Sequence, residues 1–211
     1  MRVKVFMMPL KKVQCIELNH TLGEAMEIIN DQKLLSLPVV HGTKFIGVLS
    51  KQHTYETFFN DFKGTKEEFL NQEVEKLMKE TVETVSEDTD IEVAAAQFIS
   101  SRSRFIPVTS ESGDLLGIVT QQAVFREYQK LFGPQFNSVT VITHDYKGAL
   151  SRITDVIAKA NGNIKNLVQV DTEVMGLLEL HIAIESDHFQ AVVAALEKNA
   201  FDVRSVRYVE K

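Results

Sequence analysis

One cysteine in 211 residues, Cys15, excludes an internal disulfide and a thiolate metal cluster, and fits a reducing compartment. Cations are also short. The 23 Lys and Arg stand against 29 Asp and Glu, a net charge of −6, and no segment concentrates enough of them to follow a phosphate backbone. No nucleic-acid partner is expected. No apolar run approaches the roughly 20 residues that a spanning helix needs. The opening MRVKVFMMPLKK is broken by Pro9 and closed by lysines, without a small-residue cleavage site. The expectation is a cytoplasmic protein with no membrane association.

Catalytic signatures are missing too. The six histidines, at 20, 41, 53, 144, 181 and 188, show neither HxxxH nor HExxH spacing, so no zinc site is expected. GxGxxG, the Walker phrase and the GxSxG elbow do not occur. His144 and Asp145 are neighbours in sequence, which does not orient a carboxylate onto an imidazole. Cys15 lies in the alternating VQCIEL and is predicted to be a packed strand residue. No catalytic residue, metal or cofactor is expected, and the chain is not expected to be an enzyme.

What the chain has is a repeat. FIGVLSKQH (45–53) returns as LLGIVTQQA (115–123): an apolar pair, Gly, an apolar pair, a hydroxyl residue, two polar residues, then a mismatch. SLPVV (36–40) falls on FIPVT (105–109). Seventeen residues before each proline stands a helix-cap type, Thr21 and Asp90. Leu22, Ala25, Met26 and Ile29 match Ile91, Ala94, Ala95 and Phe98 at the i, i+3, i+4, i+7 spacing of one helical face. Thr21 with Glu24 forms a capping box. Each unit of about sixty residues reads helix, strand, turn, strand, helix, the last helix being HTYETFFNDF or QAVFREYQKLF. So small a unit buries its sheet poorly alone, and the two copies are expected to pair. Residues 63–73 are predicted as a polar connection, and LFGPQFN (131–137) as the next boundary.

The remainder has another grammar. Strands are predicted at 138–143, 163–171, 177–185 and 201–209, with a turn around TEVMG and helices at 148–160 and 188–199. The order β-α-β-β-α-β is the ferredoxin-like split motif. One sheet face takes both helices, and the other, carrying Val139, Val141, Leu178 and Leu180 or their alternating neighbours, needs cover.

On Pro38-Val39, Pro107-Val108 and the Gly47–Ser50 and Gly117–Thr120 phrases, the repeat resembles a tandem pair of CBS domains over residues 1–131. On DYKGAL (145–150) and NGNI (161–164), the remainder resembles an ACT domain. The combination is similar to the acetoin-utilisation, AcuB-like family. The resemblance implies an α+β / α/β fold with domains at 1–66, 67–131 and 137–211. It also implies a regulatory, non-catalytic homodimer, since CBS pairs usually associate through their helices.

In adenosyl-binding CBS proteins the phrase ends in Asp, whose carboxylate accepts from both ribose hydroxyls. Here that position holds His53 and Ala123. Each hydroxyl left unpaired costs about 1–3 kcal/mol, so affinity drops unless another group substitutes. What carries over is an apolar base slot from Leu37, Pro38, Val39, Ile106, Pro107 and Val108, with the hydroxyls of Ser50 and Thr120. Arg102 and Arg104 are candidates for a phosphate, Arg104 foremost. The ligand class is AMP, ADP, ATP, S-adenosylmethionine or a related anion. By the ACT resemblance, an amino acid is expected at Asp145, Lys147, Gly148, Ala149 and Leu150, with Asn161, Asn163 and Ile164 opposite from a neighbouring subunit. The free N–H groups at a helix start favour its carboxylate. The alternative is a scaffold with vestigial clefts that contacts a metabolic enzyme.

Overall fold

In the computed structural model, which describes all residues except Arg102, Met175, Glu210 and Lys211, the chain divides into two units, Met1–Phe125 and Arg126–Lys211. Arg102 of the predicted anion site, Met175 of the predicted TEVMG turn and the last two residues of the predicted third domain lie outside the described residues.

In the first unit, α1 (Leu22–Asp31) starts at the predicted capping box: Thr21 Oγ1 accepts from Glu24 N, and Glu24 Oε2 accepts from Thr21 N. Its Leu22, Ala25, Met26 and Ile29 are buried, and they pack against Leu37, Val39 and Leu49 from β3 (Ser36–His41) and β4 (Lys44–Ser50). The helix α2 (Lys51–Asn60) follows without a loop. The second copy repeats the plan with α4 (Ile91–Ser100), β5 (Phe105–Thr109), β6 (Leu115–Thr120) and α5 (Gln121–Leu131). Asp90 holds the cap position of α4, yet its side chain makes no cap bond; its carboxylate lies 3.6 Å from the Arg2 guanidinium instead.

Residues 63–73 are more than a polar connection. They form α3 (Lys66–Leu70) behind a second capping box, Thr65 with Glu68, and bury Phe69 in the first copy's core. Cys15 also departs from expectation: the strand there, β2, is only Ile16–Glu17.

The repeat is longer than sixty residues because each copy is preceded by an arm that completes the other copy. Val3–Val5 and Val74–Lys76 are equivalent 3-10 turns, each with a buried valine. The first arm bonds to the second copy, with Val3 N donating to Thr89 O at 2.8 Å, and continues as β1 (Met8–Pro9), antiparallel to β6 at Ile118 and Gly117. The second arm returns the contact: Val74 N donates to His20 O at 2.9 Å, and Lys79 and Val48 exchange both backbone bonds. The sheets are thus β1-β6-β5 and β2-β3-β4. The hairpin turns of the two copies also meet, Phe45 N donating to Gly113 O and Leu115 N to Thr43 O.

The second unit is the expected split motif, with β7 (Asn137–His144), α6 (Ala149–Lys159), β8 (Asn163–Asp171), β9 (Leu177–Glu185), α7 (Phe189–Lys198) and β10 (Asp202–Arg207). Its strands run antiparallel in the order β10-β7-β9-β8. Val139, Val141, Leu180, Ile182 and Ile184 face the helices through Ile153, Ile157, Val192 and Leu196. The face needing cover is therefore the alternating one, and it is largely polar. Thr140 Oγ1 and His181 Nδ1 lie 3.0 Å apart, and His181 Nε2 is 2.8 Å from Glu179 Oε1. Part of that face is covered within the unit itself. Phe132 meets the His181 ring edge-on, Asn166 donates to Lys130 O at 2.8 Å, and the Arg207 guanidinium bonds the carbonyls of Phe132, Gly133 and Phe136.

Candidate functional site

Two equivalent corners carry the candidate site, and the glycine in each sequence phrase makes room for the crossing arm. A Cβ on Gly47 would lie 2.5 Å from Lys79 O, and one on Gly117 would collide with Met8 O. A side chain at either position would push the arm off its strand. Two residues beyond each glycine, Leu49 and Val119 are both wholly buried, so each strand is anchored up to its last residue.

That last residue is a hydroxyl, and it caps the next helix. Ser50 Oγ accepts from His53 N at 3.4 Å, and Thr120 Oγ1 accepts from Ala123 N at 3.1 Å. Thr54, a buried polar residue, donates to Ser50 O at 2.9 Å and ties the first corner down. The hydroxyls selected from the sequence thus have structural work, while each retains acceptor and donor capacity for a ligand. His53 is exposed and Ala123 half-buried, each on the first turn of its helix.

The predicted base slot separates into two faces. Leu37 and Val39 are wholly buried among the core residues behind β3, while the alternation of a strand turns Pro38 to the opposite face, across from Val48. By the same alternation Ile106 and Val108 share one face of β5 and Pro107, across from Ile118, the other. Phe105 pairs with Thr120, which brings exposed Arg104 to the hydroxyl end of the second corner. On the faces away from the helix-packed core, Pro38 and Pro107 are themselves buried, Ser50 and Thr120 are half-buried, and Arg104 is exposed. Two cavities of about 350 Å³ occur in this unit, and both lie elsewhere: one beside Gln14, His20 and Glu24, the other between α1, α2 and α3.

Where the hairpin turns meet, Asp114 accepts from Thr43 Oγ1 at 2.5 Å and lies 3.0 Å from Lys44 Nζ. Hydrogen bonds from Ser112, Thr43 and Lys44 hold its carboxyl well below the usual carboxylate range. Cys15 is half-buried, and burial pushes its thiol up to about 11, so it is poor in thiolate at neutral pH. Among the described residues no group of three His, Cys, Asp or Glu is placed to hold a metal, and no helix is long and apolar enough to cross a membrane.

In the second unit the loop before α6 is open: Asp145, Lys147, Gly148 and Leu150 are exposed, Ala149 is buried, and Gly148 occupies the cap position with φ +97°. Asp145 does not cap that helix; its N–H donates to Gly176 O at 2.7 Å. Asn161 has φ +59°, Asn163 donates to Glu185 at 3.2 Å, and Ile164 packs at the core's margin. One chain does not bring these two groups together. His144 pairs with Leu177 at one end of β9 and Asn163 with Glu185 at the other, eight steps apart or roughly 27 Å.

The arms fall within the bounds 1–66 and 67–131 but outside the helix-strand-turn-strand-helix unit read from the sequence, although a signal for them exists. Val3, Phe6 and Met7 recur as Val74, Leu77 and Met78, at the same spacing.

The protein-family model of the CBS domain matches residues 4–53 and 74–130, and so takes in most of both arms. A curated protein from Acidianus ambivalens, uncharacterized, is 26% identical over 137 residues, covering 64% of this chain and 79% of its own length. Another uncharacterized one, from Methanocaldococcus jannaschii, is 24% identical over 132 residues, covering 55% of this chain; the match spans only 45% of that relative. Among solved structures, CBSX2 in complex with AMP superposes with a TM-score of 0.55 at 25% identity, over 61% of this chain and 96% of that one. CbpB in complex with c-di-AMP reaches 0.55 at 16% identity, over 63% and 87%. A CBS domain pair/ACT domain protein from Thermotoga maritima reaches 0.51 at 19%, over 62% and 98%. The last two likenesses are of fold alone.

Proposed function

The chain belongs to the CBS-domain family, whose model spans just over half of it, and from that premise we propose that it is a non-catalytic regulator sensing an adenosyl nucleotide or related anion. The observation that carries this reading is the pair of equivalent corners, each a glycine strand ending in a capping hydroxyl, on a fold whose relative CBSX2 holds AMP. Pro38 and Pro107 are buried, so a base reaches their apolar faces only as the residues over them move aside. Ser50 and Thr120 offer hydroxyls, and Arg104 beside Thr120 makes the second corner the better place for a phosphate. His53 and Ala123 replace the carboxylate that would hold a ribose, so affinity is modest. We assign the repeats to 1–66 and 67–131, with their arms exchanged, and an ACT domain to 137–211.

In this reading the protein is a cytoplasmic homodimer of the AcuB-like, acetoin-utilisation type. The ACT domain binds an amino acid between subunits, loop 145–150 of one meeting 161–164 of the other, because one chain holds these groups at opposite ends of its sheet. Calorimetric titration with AMP, ADP, ATP, S-adenosylmethionine, c-di-AMP and the common amino acids tests it. At least one adenosyl compound is expected to bind, and Ala123→Asp is expected to tighten it about tenfold or more, since it restores a partner for the ribose hydroxyls. Silence across the panel overturns the reading.

The engagement of both hydroxyls as helix caps favours a second reading, a scaffold with vestigial clefts that contacts a metabolic enzyme. A stable partner co-purifying without any ligand effect supports it.

A further inference from the structure

The helices of the paired repeats present unequal faces. On α4 and the start of α5, Val93, Ile99 and Phe125 are exposed, Ile99 by 88% and Phe125 by 72%. The repeat register brings out the contrast. Val93, Ala96, Ile99 and Ser100 stand where the first copy has Glu24, Glu27, Asn30 and Asp31. One helix face is acidic and its equivalent is apolar or small.

Beside the acidic face the first copy has a socket. It is the cavity of about 350 Å³ between α1, α2 and α3, walled by Met26, Tyr55, Phe58, Phe59 and Phe69. Phe58 lies at the centre of the aromatic cluster, 5.3 Å from Phe59 and 5.1 Å from Phe69 between ring centroids. The wall that α3 supplies belongs to the segment joining the copies and has no repeat equivalent. A cavity of about 150 Å³ accepts a benzene ring, so this socket has room for a phenylalanine and a neighbouring aliphatic side chain.

We propose that the occupant is a second copy of this chain, docked head to tail, with Phe125 and Ile99 of each copy seated in the Phe58–Phe59–Phe69 socket of the other. The proposal rests on the homodimer reading above and gives that dimer its orientation. Charge decides between the arrangements. Head to head, Glu24, Glu27 and Asp31 of α1 meet their own copies, a like-charge contact that opposes association. Head to tail, the acidic helix lies against a face whose one carboxylate on α4 is Glu92, and the exposed apolar residues leave water. Because each chain carries both plug and socket, a two-fold axis makes the contact twice and closes the assembly.

Phe59→Cys and Phe125→Cys, made in separate chains of different tag length, co-expressed and gently oxidised, test the orientation. The expected product is the mixed disulfide joining residue 59 of one chain to residue 125 of the other, identified by mass spectrometry of the linked peptides. Disulfides joining only like positions, 59 to 59 or 125 to 125, overturn the head-to-tail arrangement while leaving the dimer. A monomer of the parent chain in sedimentation velocity at micromolar concentration overturns the dimer itself. In the parent background, Phe125→Glu is expected to weaken dimerisation at least tenfold with an unchanged melting profile of the monomer, and an unaltered dimer overturns the plug assignment.

Discussion

Alanine at position 47 tests the crossing of the arms most directly. Its Cβ would stand 2.5 Å from Lys79 O and 3.1 Å from the same carbonyl carbon, where ordinary contact begins at 3.4 Å. The neighbour is backbone, so no flexible side-chain end can swing away. The arm must move by about 1 Å, and overpacking of that kind costs about 1–3 kcal/mol. Moving it also strains the paired bonds between Val48 and Lys79, 3.0 and 2.9 Å long, each worth about 0.5–1.5 kcal/mol. The combined loss is expected to be about 2–4 kcal/mol, a large share of the roughly 5–15 kcal/mol that separates folded from unfolded domains. At roughly 3 °C per kcal/mol, Tm falls by about 6–12 °C. Calorimetry reads the shift, and hydrogen exchange across 72–80 reads the release of the arm. Lys79→Ala is the control: its side chain is exposed and its backbone bonds survive, so the change stays within about 0.5 kcal/mol. If Gly47→Ala melts with the parent and exchange in 72–80 is unchanged, the close approach is refuted.

Ser50→Ala and Thr120→Ala each remove a helix cap and are expected to cost about 0.5–2 kcal/mol in urea denaturation; hydroxyls that served a ligand alone would leave stability untouched. Asp114→Asn probes the junction of the hairpin turns. A carboxyl whose folded-state pKa is depressed stabilises the fold above its unfolded value of about 3.9, and that contribution fades as pH falls through the folded value. The variant should therefore melt below the parent at pH 7, with the gap closing progressively below about pH 4; a gap independent of pH refutes the ion-paired role.

Much of the fold was legible because local signals agreed with one another. Thr21 and Glu24 wrote the start of α1 in four letters, and the apolar spacing after them named the buried face before any sheet was known. The strands of the second unit alternate strictly enough that Val139, Val141 and Leu180 fell on one face. The arms were harder, since a 3-10 turn and a two-residue strand have no periodicity; what fixes them is a partner roughly 30 to 110 residues away. Phe69 was hidden for the same reason, since with Leu70 it is half of the one apolar pair in the charged run KGTKEEFLNQE. At the site, spacing located both corners, and the alternation of β3 and β5 then assigned Leu37, Val39, Ile106 and Val108 to the faces opposite their prolines. A motif matched as a string does not distinguish those faces.

The exchange of arms has a consequence for how the protein is made. Residues 1–9 leave the ribosome long before residues 87–91 and 117–118, their bonding partners, exist. They must wait uncommitted while the first copy closes around 72–79, and the second copy cannot be finished by anything synthesised near it. A mutation in the opening nine residues should thus present as a defect of the distant copy; cut out along its sequence boundaries, the second copy loses its edge strand β1, and the first loses buried Val74 and the bridge at Lys79.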